Sequence, residues 1–216
     1  MLEEELDTYN YLYNISNTLI TEIEIKKNTT YQNIKWYTII NYMQENHPIV
    51  IKPIKNNFKL ISETNFGLYG ATMTLGNQTF IQYNDKNIKQ RQNFTIMHEI
   101  SHYLLHQNNT YVSLMNENNY SEADLIKERE ANMLAGMLLI NKKILIQLLH
   151  DRKPFNYLKK YFNVSTQALD KSLFNHFYFQ TIAQILNEEK AIDKPYIYCR
   201  KTINNYRYNN HQLIIK

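Results

Sequence analysis

The run His98-Glu99-Ile100-Ser101-His102 constrains the fold more than any other stretch, because it acts as a unit only on an α-helix. Residues four apart on a helix stand one turn apart on the same side, so both imidazoles reach a single point. Glu99 then lies beside that point, where its carboxylate can take a proton from a water held there. Met97, Ile100 and Leu104 fall on another side and anchor the helix in a core. The flanking residues are otherwise uncharged, and a glutamate between two histidines is costly to bury without such a purpose. The pattern predicts a helix over residues 93–107 that carries a metal ion.

A third protein ligand is then required, with one coordination position left open. The downstream carboxylates are Glu117, Glu122, Asp124, Glu128 and Glu130. Periodicity predicts a helix over residues 122–140 with Ser121 as its N-cap. Glu128, Ala131, Asn132 and Ala135 share one face, with Gly136 at its margin, and these small residues allow close approach to the histidine helix. Glu130 points nearly opposite, beside Met133 and Met137. The spacing favours Glu128, with a solvated charge paired to Lys127 or Arg129 as the alternative. His106 extends the histidine stripe by another turn. As a fourth ligand it would close the site, so a hydrogen-bonding role suits it better.

Around this pair the chain reads as mixed. Residues 6–20 form a helix with Leu12, Ile15 and Leu19 on one side, and residues 30–45 a second around Ile34, Tyr37 and Ile40. Pro48 closes that helix, and residues 49–54 make a β-branched strand whose Pro53 suits an edge. Residues 66–75 and 79–83 pair as a hairpin through Gly76-Asn77. An Asn-rich loop over residues 108–120 separates the two site helices. Further on, residues 155–162, the turn Asn163-Val164-Ser165 and residues 166–177 outline a helix–turn–helix with Ser165 as the second N-cap. Residues 183–192 read as a last helix. Residues 194–216 contain no Asp or Glu and read as strands or a tail.

The single cysteine, Cys199, excludes an internal disulfide. The acidic N-terminus lacks an apolar signal segment, and no apolar run approaches the roughly 20 residues of a membrane span. Both point to the cytoplasm. A net charge of +4 permits an acidic partner without requiring one.

Two linked stretches resemble a known family. Arg91, Phe94, Thr95, His98, Glu99, His102 and His106, followed by Glu128, Glu130, Ala131, Asn132, Ala135, Leu138 and Leu139, are similar to the ImmA/IrrE metallopeptidases. That family's pattern is R-x-R-F-T-x-x-H-E-x-G-H-x-x-x-H and then E-x-E-A-N-x-F-A-x-x-L-L-M-P. The resemblance spans roughly residues 34–177. Asn93 stands for the second Arg, Ser101 for Gly, Met133-Leu134 for x-Phe, and Ile140-Asn141 for Met-Pro. The resemblance implies a zinc-dependent endopeptidase with His98, His102 and Glu128 as zinc ligands and Glu99 as general base. It also implies a helix–turn–helix repressor of a phage or mobile element as substrate.

The expected class is α+β, a zincin-like helix pair with a small β-sheet followed by a helical, helix–turn–helix-like subregion. The expected division is a metallopeptidase domain over residues 1–150, the helix–turn–helix-like part over 151–180 and a basic, Tyr-rich extension over 181–216. Two other functions fit the same residues: a catalytically silent, zinc-containing partner of a repressor or antitoxin, and a DNA-binding regulator. Against the latter, the second helix of the helix–turn–helix offers only Lys171 as a basic residue. Lys194, Arg200, Lys201 and Arg207 among tyrosines form a weak nucleic-acid signal. Tyr69, Tyr83 and Tyr103 are candidates to polarise a substrate carbonyl.

Overall fold

The computed structural model describes residues 2–54, 70–106, 121–188 and 203–204. The described elements are α1 (Leu2–Lys27), α2 (Trp36–Asn46), β1 (Ile49–Pro53), β2 (Gly70–Leu75), β3 (Gln78–Tyr83), α3 (Lys89–Leu105), α4 (Glu122–Leu139), α5 (Lys142–His150), α6 (Phe155–Phe162) and α7 (Thr166–Glu188). The class is α+β. The chain divides into two compact units, residues 18–135 and residues 1–17 with 136–216. Among the described residues, no single helix is long and apolar enough to cross a membrane.

In the unit of residues 18–135, a three-stranded sheet of order β1-β3-β2 is built on a hairpin. Gly76 has φ +59°, the left-handed backbone that a two-residue turn demands, and it sets Leu75 opposite Gln78 and Thr72 opposite Ile81. β1 adds parallel to β3 as the expected edge strand, ending at Pro53 opposite Tyr83. The core against this sheet includes Ile49, Ile81, Ile96, Met97 and Ile100, all buried. Met97 and Ile100 thus anchor α3 as the sequence predicts.

Several boundaries differ from expectation. α3 begins at Lys89, a turn earlier, because the Gln92 amide donates to the carbonyls of Asp85 and Asn87 at 2.8 and 2.6 Å and fixes the entry. The single helix expected over residues 30–45 is instead a 3-10 turn at Tyr31–Asn33 followed by α2. Tyr31 N donates to Glu24 Oε1 at 2.7 Å, and Thr38 Oγ1 caps Lys35 N at 3.3 Å, so the break is held by side chains. The buried face of α2 is Ile39, Tyr42 and Met43, while Tyr37 is 52% exposed. α1 runs well past residue 20. Its acidic first turn (Glu3, Glu4, Glu5) and basic last turn (Lys26, Lys27) complement the helix dipole.

In the other unit, α5, α6 and α7 pack around Leu145, Leu158, Leu169 and Leu173. Ser165 Oγ accepts from Ala168 N at 3.1 Å as the expected N-cap of α7. Asn163 ends α6 in the left-handed conformation (φ 52°), which asparagine tolerates. α7 continues to Glu188, so the separate helix expected from residue 183 is the second half of α7. The expectations on residues 55–69, 107–120, 189–202 and 205–216, including the Asn-rich loop, Cys199 and the basic extension, lie outside the described residues.

His176 is buried in this unit, with Lys142 nearby, and burial first and then the Lys142 charge push its pKa down to about 4. Between pH 6.5 and 4 the unfolded chain therefore binds the extra proton, so stability falls as pH falls through that window. Between pH 7.5 and 5 the His176 share of that loss is about 2 kcal/mol. Urea unfolding at both pH values should show His176→Gln losing less stability than wild-type by about that amount. An equal loss in both proteins contradicts the assignment.

Candidate metal centre

α3 presents His98 and His102 from consecutive turns, and both are buried. Ser101 lies wholly buried on the helix, and its hydroxyl donates back to Met97 O at 2.7 Å. The family's glycine position is therefore filled by a side chain that satisfies itself. Ser121 and Asp124 start α4 by reciprocal capping. Asp124 N donates to Ser121 Oγ at 3.2 Å, and Ser121 N donates to Asp124 Oδ2 at 3.2 Å. This engagement removes Asp124 as a candidate ligand. Farther along, Ala131 and Ala135 are fully buried, and a Cβ on Gly136 would meet Ser172 Oγ of α7 at 3.4 Å.

The ligand-type atoms converge. His98 Nε2 and His102 Nε2 stand 3.0 Å apart, with Glu128 Oε2 3.3 Å from the first and Glu128 Oε1 3.2 Å from the second. A tetrahedral zinc site with bonds of about 2.0–2.1 Å has ligand-to-ligand edges of about 3.3–3.4 Å. The spacings are close to that size, with each imidazole facing a different oxygen of Glu128. Glu128 Oε1 is buried without a directed hydrogen bond although an imidazole nitrogen is in reach, an unmet acceptor that a cation would satisfy. His98, His102 and Glu128 are the one group of three or more such side chains among the described residues that could hold a metal ion.

The ionisable groups of the site are coupled to one another. Burial alone would raise the Glu128 carboxyl, but His102 and His98 outweigh it and hold it at about 2. Burial alone would lower His98, and Glu128 and Glu99 together carry it above its ordinary value. Asn132, one turn along α4 from Glu128, also reaches the His98 ring.

Glu99 stands outside the triangle and is 1% exposed. Burial pushes its carboxyl above the ordinary range, although His98 and a hydrogen bond from Thr72 pull the other way. Glu99 and His102 border a cavity of about 160 Å³, whose walls include Thr72, Thr74, Thr79, Pro48, Tyr103 and His106. Of the three tyrosines singled out in the sequence, Tyr103 lines this cavity, Tyr83 does not, and Tyr69 lies outside the described residues.

Glu130 does not point away from α3, as its helical phase suggested. Its Oε2 lies 3.9 Å from His106 Nε2, at the end of α3. His106 takes no part in the triangle. Thr72 and Gly70 were not foreseen, because no spacing rule links a strand residue to a helix residue 27 positions away.

Two imidazoles one helical turn apart, a carboxylate from a second helix and a buried glutamate beside them define a metallohydrolase-type site. The family model for the IrrE N-terminal-like domain, peptidase family M78, matches residues 54–174, more than half the chain, and the chain belongs to this family of metallopeptidases. No curated protein matches the chain.

Proposed function

We propose that the protein is a zinc-dependent endopeptidase in which His98, His102 and Glu128 hold the ion and Glu99 is the general base. The observation that carries this reading is the convergence of His98 Nε2, His102 Nε2 and the Glu128 carboxylate, with Glu99 buried beside them. Two imidazoles and a carboxylate suit zinc, and three protein ligands leave a position open. Zinc there would polarise the scissile carbonyl and make a water more acidic. Glu99 takes one proton from the attacking water as its oxygen adds to the carbonyl carbon. It returns that proton to the amine nitrogen as the C–N bond breaks, so the carboxylate ends each cycle ionised.

We propose as substrate a helix–turn–helix repressor, as the family resemblance implies, cut in the cytoplasm where such a repressor acts. Two measurements test the reading. Protein purified without added zinc is expected to carry one zinc per chain, removable by chelators. The zinc-loaded chain, incubated with helix–turn–helix repressors of its own genome, is expected to yield repressor fragments on a gel. A chain that neither holds nor takes up zinc contradicts the metal site. A zinc-loaded chain that binds the repressor and leaves it whole supports a silent binding partner instead.

A further inference from the structure

We propose that Thr72, on β2, is the positioning residue for Glu99, holding one carboxylate oxygen so that the other alone exchanges the proton. The inference rests on the reading of Glu99 as the base. Thr72 Oγ1 donates to Glu99 Oε2 at 2.6 Å, and both residues are buried. That length lies at the short end of the range for hydroxyl-to-oxygen hydrogen bonds. Among the described residues, Thr72 is the one side chain that hydrogen-bonds this carboxylate.

The backbone explains how a strand reaches so deep. Gly70 and Thr72 lie two apart on β2 and face the same side. A Cβ on Gly70 would fall 2.3 Å from Thr95 Cγ2 and 3.1 Å from Glu99 Oε1. Only glycine lets the strand come this close to α3, and the close approach brings the Thr72 hydroxyl within reach of the base. Antiparallel pairing sets Thr72 opposite Ile81, whose full burial fixes the strand's register.

The consequence is a division of labour between the two oxygens. Oε2 is held by a donor that keeps its own proton, and the carboxyl plane is fixed. Oε1, the oxygen that Thr72 does not hold, is then the one left to take and return the proton. Thr72 does not react. It acts through Glu99.

Two arms test this on the zinc-loaded full chain. In the first, urea unfolding is measured for wild-type, Thr72→Val, Glu99→Leu and the double variant. Thr72→Val should lower the folding equilibrium constant at least about tenfold when Glu99 is present, because a buried carboxyl oxygen loses its donor. With Leu at position 99 the same change should cost less than about threefold. Equal costs in the two backgrounds overturn the proposal. In the second arm, repressor cleavage by Thr72→Val should show kcat reduced about 10- to 100-fold, with KM and zinc content unchanged, and Thr72→Ser should restore it. Unchanged kcat in Thr72→Val also overturns the proposal. A wild-type chain that holds zinc and cuts nothing overturns the peptidase reading, and the unfolding arm then still reports separately on the Thr72–Glu99 contact.

Discussion

Replacing Glu99 with glutamine is expected to leave zinc content and folding near wild-type while peptide cleavage falls at least about 10²–10⁴-fold. The asymmetry follows from where Glu99 sits. Its carboxylate is outside the His98–His102–Glu128 triangle, so the ligand set survives the change. The amide keeps the shape of the carboxyl group, and its oxygen can still accept from Thr72 Oγ1. Burial already disfavours the charged form of Glu99, so a neutral side chain is spared that desolvation penalty. What the amide lacks is a basic oxygen to receive the water proton. Co-expression of wild-type or Glu99→Gln protein with a helix–turn–helix repressor that the wild-type cuts, followed by gel analysis, reads the outcome. Fragments with wild-type and intact repressor with the variant are expected. Equal cutting by both means that another group is the base.

The second large effect separates two glutamates that lie two positions apart. Glu128→Ala is expected to lose more than the roughly 10- to 100-fold in zinc affinity typical of removing an outer hydrogen-bond partner. Glu130→Ala should stay within about tenfold of wild-type. Glu128 offers one oxygen to each imidazole, at 3.3 and 3.2 Å. Removing it leaves only the two imidazoles, too few for a tight site. Glu130 instead faces His106 at 3.9 Å, beyond the triangle. Competition titration against a chelator of known affinity measures both. Equal retention by the two variants would remove Glu128 from the ligand set, and Asp124 is no substitute because it is committed to capping α4.

Much of this site was legible in the sequence because helical geometry is rigid. Four-residue spacing fixes His98 and His102 on one side whatever surrounds them, and the small residues after Glu128 mark the face that can approach. The caps at Ser121 and Ser165 and the Gly76-Asn77 turn are equally local, and each is decided by the chemistry of two or three neighbouring residues. What escaped depends on distant partners. The break before α2 is held by Glu24 of another helix, and the early start of α3 by a glutamine reaching back to the preceding loop. Tyr37 is exposed, against its place in the sequence period, because the 3-10 turn before α2 resets the helical phase. α7 was cut short because apolar residues on several sides blur its period. Thr72 is the extreme case, a residue whose meaning exists only once a strand lies across a helix.

The arrangement of the triangle has a consequence for the lifetime of the protein. Its three corners come from two helices, with the whole stretch between His102 and Glu128 intervening, so an ion bound there is a cross-link as well as a reagent. Any ligand bound only by the folded chain stabilises it by mass action, about 2.7 kcal/mol at a hundredfold excess over its dissociation constant. On the proposed zinc reading, metal supply would set two quantities at once, how many molecules can work and how long each escapes unfolding.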